Sequence, residues 1–140
     1  MTAAFLDRLI GDWTYEGHSL PDDGERRRGT ETVSRRGAWT VIESDDDARF
    51  QLAFDPETGR VTGDFVHWGH PTLWTYDGVA DGDRMVLASR GPTMEESGGE
   101  TDYEDIWEMT SPDQRTLTSR QKQADGSWTA FCRTVYRRGG

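Results

Sequence analysis

The sequence predicts an all-β protein in which about ten short antiparallel strands close, in chain order, into an up-and-down β-barrel behind a short N-terminal helix. Three observations point there. After Gly11, short stretches rich in Thr, Val, Trp, Tyr and Phe alternate with turn chemistry, and no later segment holds a helical stripe. The links between these stretches are of hairpin length, whereas a two-sheet sandwich needs long crossover connections. Hydrophobic residues make up only 33% of the chain, yet there are six tryptophans, five phenylalanines and four tyrosines. Few aliphatics with many large aromatics suit a thin wall whose long side chains fill or line an interior. A twisted sheet of so many strands tends to close, because closure removes its exposed edges.

The elements follow in order. Thr2 is a candidate N-cap, and Phe5, Leu6, Leu9 and Ile10 recur at helical spacing before Gly11, so the chain opens with a helix of about two turns. Strands are expected at 12–18, 27–35, 38–44, 48–54, 60–66, 72–80, 83–90, 101–110, 114–123 and 127–137. The punctuation between them is explicit. Asp22-Asp23-Gly24 makes a loop, Arg36-Gly37 a tight turn and Asp55-Pro56-Glu57-Thr58-Gly59 a longer hairpin. Asp81-Gly82-Asp83 and Asp125-Gly126 supply the positive φ of hairpin turns, and Ser111-Pro112-Asp113 is a further turn. Gly91 to Gly99 is the longest polar connection and is expected to form a mobile lip.

One hundred and forty residues without an internal linker or repeat are read as a single domain over 1–140. Cys132 is the only cysteine, so no internal disulfide can form and a reduced, cytoplasmic setting is expected. Asp7 and Arg8 interrupt the first apolar stretch, against a secretory leader, and no run approaches the length of a membrane span. The net charge is −10, with a single lysine, Lys122, against fifteen arginines. Such a field argues against nucleic acid and anionic membrane as partners, and Arg26-Arg27-Arg28 is local and flanked by acids.

Four segments, in this order, carry a family resemblance: Leu9-Ile10-Gly11-Asp12-Trp13, Phe54-Asp55-Pro56-Glu57-Thr58-Gly59-Arg60, Trp74-Thr75-Tyr76-Asp77-Gly78 and Thr134-Val135-Tyr136-Arg137. The chain resembles, over nearly its whole length, the bacterial lipocalin-like "domain of unknown function 1579" family. Gly-x-Trp alone is common to many calycin barrels; the Asp-Pro-x-Thr-Gly hairpin and the Tyr-Asp-Gly strand are more specific. The resemblance implies a lipocalin/calycin-like barrel with an interior cavity. It brings no established reaction and no catalytic residues. It also implies that Trp13 plugs the closed end beneath an arginine from a late strand, for which Arg133 and Arg137 are the candidates.

The site is therefore sought at the other mouth. Phe65-Val66-His67-Trp68-Gly69-His70-Pro71 crowds two histidines and a tryptophan onto a turn. In an extended strand His67 and His70 point to opposite faces, a third ligand at recognisable spacing is missing, and no metal is expected. Haem is not expected either: the nitrobindins, barrels with the same Gly-x-Trp, use a late histidine, and here none follows His70. No other cofactor is implied. Alternation puts Trp74 with Tyr76, and Tyr103 with Trp107, on shared faces, which can line a cavity or pack as core. Thr116, Thr118, Arg120 and Lys122 share one face of their strand, and Leu117, Ser119 and Gln121 the other. An inward Arg120 would need Glu104, Glu108 or a ligand carboxylate; an outward one would face solvent. The acidic run Glu95, Glu96, Glu100, Asp102, Glu104 and Asp105 reads as solvated loops and edges.

The expected function is a small-molecule binding protein holding an apolar or aromatic ligand, with or without a carboxylate, in the barrel. His67, Trp68, His70, Trp74, Tyr76, Tyr103, Trp107 and Arg120 are its candidate contacts. Two other readings stand beside it. One is an enzyme of isomerase or cyclase type using a cavity histidine as acid or base, which no nucleophile or phosphate motif supports. The other is an interaction module whose barrel is filled by its own side chains. A homodimer through a sheet face is expected only by analogy with other barrels.

Overall fold

The computed structural model describes residues 4–21, 26–96 and 98–139. The Thr2 cap and the Asp22-Asp23-Gly24 loop lie outside the described residues. A single helical turn, α1 (Ala4–Asp7), precedes ten strands: β1 (Gly11–Ser19), β2 (Arg27–Arg36), β3 (Trp39–Ser44), β4 (Ala48–Asp55), β5 (Arg60–His67), β6 (Trp74–Asp81), β7 (Arg84–Pro92), β8 (Glu100–Ser111), β9 (Gln114–Lys122) and β10 (Trp128–Arg138). Every strand pairs antiparallel with its neighbours in the chain, and β1 pairs with β10, so the sheet is a closed barrel. Each expected strand is present with its ends within two residues of expectation. The helix is shorter than the apolar spacing suggests among the described residues, because Gly11 at φ +131° turns the chain directly into β1.

Alternation divides the wall into inner and outer faces. At one end Phe5, Leu6 and Leu9 drop into the barrel against Trp13, Val33, Ile42, Leu52, Val61, Leu87 and Trp107, forming a continuous core. Trp13 seals it, donating from its indole nitrogen to the Leu9 carbonyl at 2.8 Å. Its ring lies between two guanidinium groups, with Arg138 Cζ 4.2 Å and Arg115 Cζ 4.6 Å from the ring centroid. The expectation of Arg133 or Arg137 there is corrected: both are exposed, while Thr134, Tyr136 and Arg138 carry the inward parity of β10. Arg138 also donates to the carbonyls of Ile10 at 2.7 Å and Arg8 at 2.9 Å, tying the last strand to the turn after α1.

Arg115 is the other departure from the expected closed end. It is completely buried on β9, hydrogen-bonds Glu31 from β2 across the barrel, and stacks 3.8 Å above the Tyr136 ring. Burial pushes the Glu31 carboxyl up from its ordinary range, and the arginine opposes that push. This ion pair forms a floor: below it the barrel is packed core, above it the interior is hollow.

Candidate functional site

Above the floor the interior holds two chambers side by side. The larger, about 380 Å³, lies under β5–β8 and opens past the loops 68–73 and 93–99. Its wall is built from aromatic side chains at inward positions: Phe65 on β5, Trp74 and Tyr76 on β6, Tyr103 on β8 and Phe131 on β10. The Trp74 and Tyr103 rings meet edge to face at 5.0 Å, and Tyr103 meets Phe131 likewise at 5.9 Å. Gly91 on β7 makes room for this wall, since a Cβ there would stand 2.3 Å from the Trp74 ring. The smaller chamber, about 160 Å³, lies under β1–β4 and is more polar, lined by Tyr15, Glu31, Asp46, Thr134 and Tyr136 among others, with Arg27 beside Asp46.

Phe65, Tyr76, Asp105 and Ser119 line both chambers and form the partition between them. Asp105 is the chemical centre of that partition. Its two carboxyl oxygens accept hydrogen bonds from Tyr76 Oη at 2.5 Å and Ser119 Oγ at 2.7 Å. Burial pushes the Asp105 carboxyl up, partly offset by those two bonds. The Tyr76 phenol is driven well up by burial and then by the Asp105 charge, so it stays a donor at neutral pH. Ser89 adds a buried hydroxyl to the larger chamber, and its oxygen has no hydrogen-bond partner among the described residues.

The lip between β7 and β8 is tethered from inside. Gln121 Oε1 on β9 accepts from the Met94 amide at 2.8 Å and from Tyr103 Oη at 2.7 Å. Tyr103 also reaches the Pro92 carbonyl, and Thr93 N donates to the Gly99 carbonyl at 2.9 Å.

Of the eight residues named from the sequence, His70, Trp74, Tyr76 and Tyr103 come together around the larger chamber. His67, Trp68, Trp107 and Arg120 do not line it. In the 68–70 turn His70 N donates to the His67 carbonyl at 2.9 Å and Gly69 N to His67 Nδ1 at 3.1 Å, and Trp68 stands 65% exposed. Trp107 is core, below the floor, with Arg115 Cζ 5.7 Å from its ring. Arg120 lies on the outer face, paired with Glu104 across β8–β9 and 4.8 Å from the Trp128 ring. The inward face of β9 is the Leu117, Ser119 and Gln121 face, joined by Arg115.

The reading of Asp105 as part of a solvated acidic run is overturned, since its side chain is inside the barrel. The signal for it lay in alternation: Asp105 stands between Tyr103 and Trp107, which share a face. Phe131 carried no such signal. A β-bulge between Ala130 and Cys132 turns two consecutive side chains inward, so Phe131 enters the larger chamber and Cys132 the smaller. Among the described residues, no group of three or more His, Cys, Asp or Glu is placed to hold a metal ion. No helix among them is long and apolar enough to cross a membrane.

A family model described as "Protein of unknown function (DUF1579)" matches residues 2–138. Among solved structures, Rv2717c from M. tuberculosis is similar over 100% of this chain and 99% of that one, at 14% identity and a TM-score of 0.59. A redesigned β-barrel is similar over 97% of this chain and 96% of that one, at 13% identity and a TM-score of 0.46. No curated protein matches. At 14% identity the likeness to Rv2717c is one of fold alone.

Proposed function

The chain belongs to the DUF1579 family, a calycin-like closed barrel to which that description attaches no reaction, and on that premise we propose that it binds a small, largely apolar or aromatic molecule inside the barrel. The observation that supports this most is the larger chamber itself. At about 380 Å³ it falls within the range of small-molecule sites, roughly 300–1,000 Å³. Its lining is largely apolar, with five aromatic side chains (Phe65, Trp74, Tyr76, Tyr103 and Phe131), and polar groups that include His70, Ser89 and Asp105 are set among them to orient a guest. A barrel filled by its own side chains would lack this space. The single Cys132 fits a reducing compartment, and we place the protein in the cytoplasm.

N-Phenyl-1-naphthylamine, whose emission rises in apolar surroundings, tests the reading directly. The dye is expected to bind at a one-to-one limit, and Trp74→Ala to weaken it about tenfold, the loss of roughly 1.4 kcal/mol of ring contact. Mass spectrometry of an organic extract of freshly purified protein is expected to show a carried guest. No dye binding and no guest would leave the interaction-module reading in its place.

A further inference from the structure

The partition between the chambers holds a carboxylate without a counter-charge. Both oxygens of Asp105 are hydrogen-bonded by neutral hydroxyls, and among the described residues no arginine or lysine forms an ion pair with it. The other interior acids differ in this respect: Glu31 is paired with Arg115, and Asp46 lies 3.7 Å from Arg27. A carboxylate offers about four lone-pair sites. Two are taken, so the remainder are available to the chambers that Asp105 lines.

We propose that the guest is an amine, its apolar or aromatic body in the larger chamber and its cationic nitrogen on Asp105. The proposal rests on the reading of the barrel as a small-molecule binding protein and assigns its ligand class. Four features carry it beyond the lone carboxyl. Ser89 Oγ, on a residue only 9% exposed, is buried in the same chamber without a hydrogen-bond partner among the described residues, a second acceptor for an ammonium N–H. Trp74, Tyr76 and Tyr103 line that space, and aromatic rings attract cations, most strongly where water is excluded. Among the described residues no arginine or lysine lines the larger chamber to receive a guest carboxylate: Arg120 lies outside on Glu104, Arg115 is held by Glu31 in the floor, and Arg27 borders only the smaller chamber, 3.7 Å from Asp46. The whole-chain charge of −10 adds a field of the sign that draws cations inward. An arriving ammonium would supply the charge that the desolvated Asp105 lacks.

Three probes with one aromatic body separate the possibilities: 2-(1-naphthyl)ethylamine, 2-(1-naphthyl)ethanol and 1-naphthylacetate, each titrated at neutral pH by calorimetry. The amine is expected to bind about tenfold tighter than the alcohol, and the acetate most weakly, in line with a buried charge-assisted hydrogen bond. In Asp105→Asn the amine preference is expected to fall below about threefold while the alcohol binds as before. Equal binding of amine and alcohol by the unmodified protein, tighter binding of the acetate, or an undiminished preference in Asp105→Asn would each overturn the inference. Should Asp105→Asn fail to fold, the ranking of the three probes on the unmodified protein decides alone. If the alcohol binds and the amine binds no better, the amine assignment falls and the binding-protein reading stands. If neither the naphthylamine dye nor any probe binds, the cavity reading itself falls.

Discussion

Two interior charges act in opposite ways. Arg115 is wholly buried and joins Glu31, Trp13 and Tyr136 into the floor of the cavity, yet its Nε and Nη1 have no hydrogen-bond partner among the described residues. Arg115→Ala would leave the buried Glu31 carboxyl without its counter-charge, and a loss of about 3–5 kcal/mol in urea unfolding is expected. Replacing both residues together by apolar side chains of similar volume should recover much of that loss, because a buried pair is worth little more than good packing. Asp105 contributes through pH instead. Its carboxyl is raised by burial, partly offset by the Tyr76 and Ser119 hydroxyls that bond it, with the Tyr136 phenol within electrostatic reach, so the folded state holds the proton more tightly than the unfolded chain. The linked stability is fully present below the ordinary carboxyl value of about 4 and is lost as pH rises through the raised value. Asp105→Asn lacks that loss, so its melting temperature should gain on the unmodified protein between acid and neutral pH; parallel curves would contradict the assignment. Neither role was legible at the residue scale. An arginine or aspartate in a chain rich in both carries no mark of burial until its strand's inward face is known, and the aromatics flanking Asp105 were the only clue.

The elements were far more legible, for a local reason. Asp-Gly, Pro-Asp and Asp-Pro turns fix where strands end, and residues between turns have no course but the extended one. The Asp55–Gly59 hairpin shows the chemistry at work: Glu57 N donates to Asp55 Oδ1 at 2.9 Å and Gly59 takes φ +73°. Where local chemistry is silent the sequence misleads. The bulge in β10 has no turn residue to announce it, and it is the bulge that seats Phe131 in the cavity. The lip is a tertiary feature of the same kind, since its anchor, Gln121, lies on β9. Gln121→Ala should speed amide exchange at Met94 while the melting temperature moves little, because the buried Tyr103 phenol keeps the Pro92 carbonyl as a partner. Unchanged exchange at Met94 would remove the tether from the description.

At the scale of the molecule, closure depends on the pairing of β1 with β10, from Trp13 opposite Arg138 to Ser19 opposite Cys132. Removing residues 128–140 would open the wall, expose two strand edges and take away Tyr136 and Arg138 from the floor and the plug. The shortened chain is expected to lose its cooperative unfolding transition, as followed by tryptophan emission in urea. The family motifs belong to this scale too. Gly11-Asp12-Trp13 and the Asp55–Gly59 hairpin sit at the plugged end, so the residues that made the architecture recognisable say little about the guest. Among them Trp74 and Tyr76 reach the larger chamber, and Thr134 and Tyr136 the smaller. The closure has a topological corollary. Every strand's neighbours along the chain are its neighbours in the wall, and Gly139 N reaches the Asp12 carbonyl at 2.7 Å. The connectivity is that of a circle with one link left out, and joining β10 to β1 while cutting at Glu57-Thr58 would leave the same walls and the same two chambers. In such a ring, which strand is counted first is a matter of labelling.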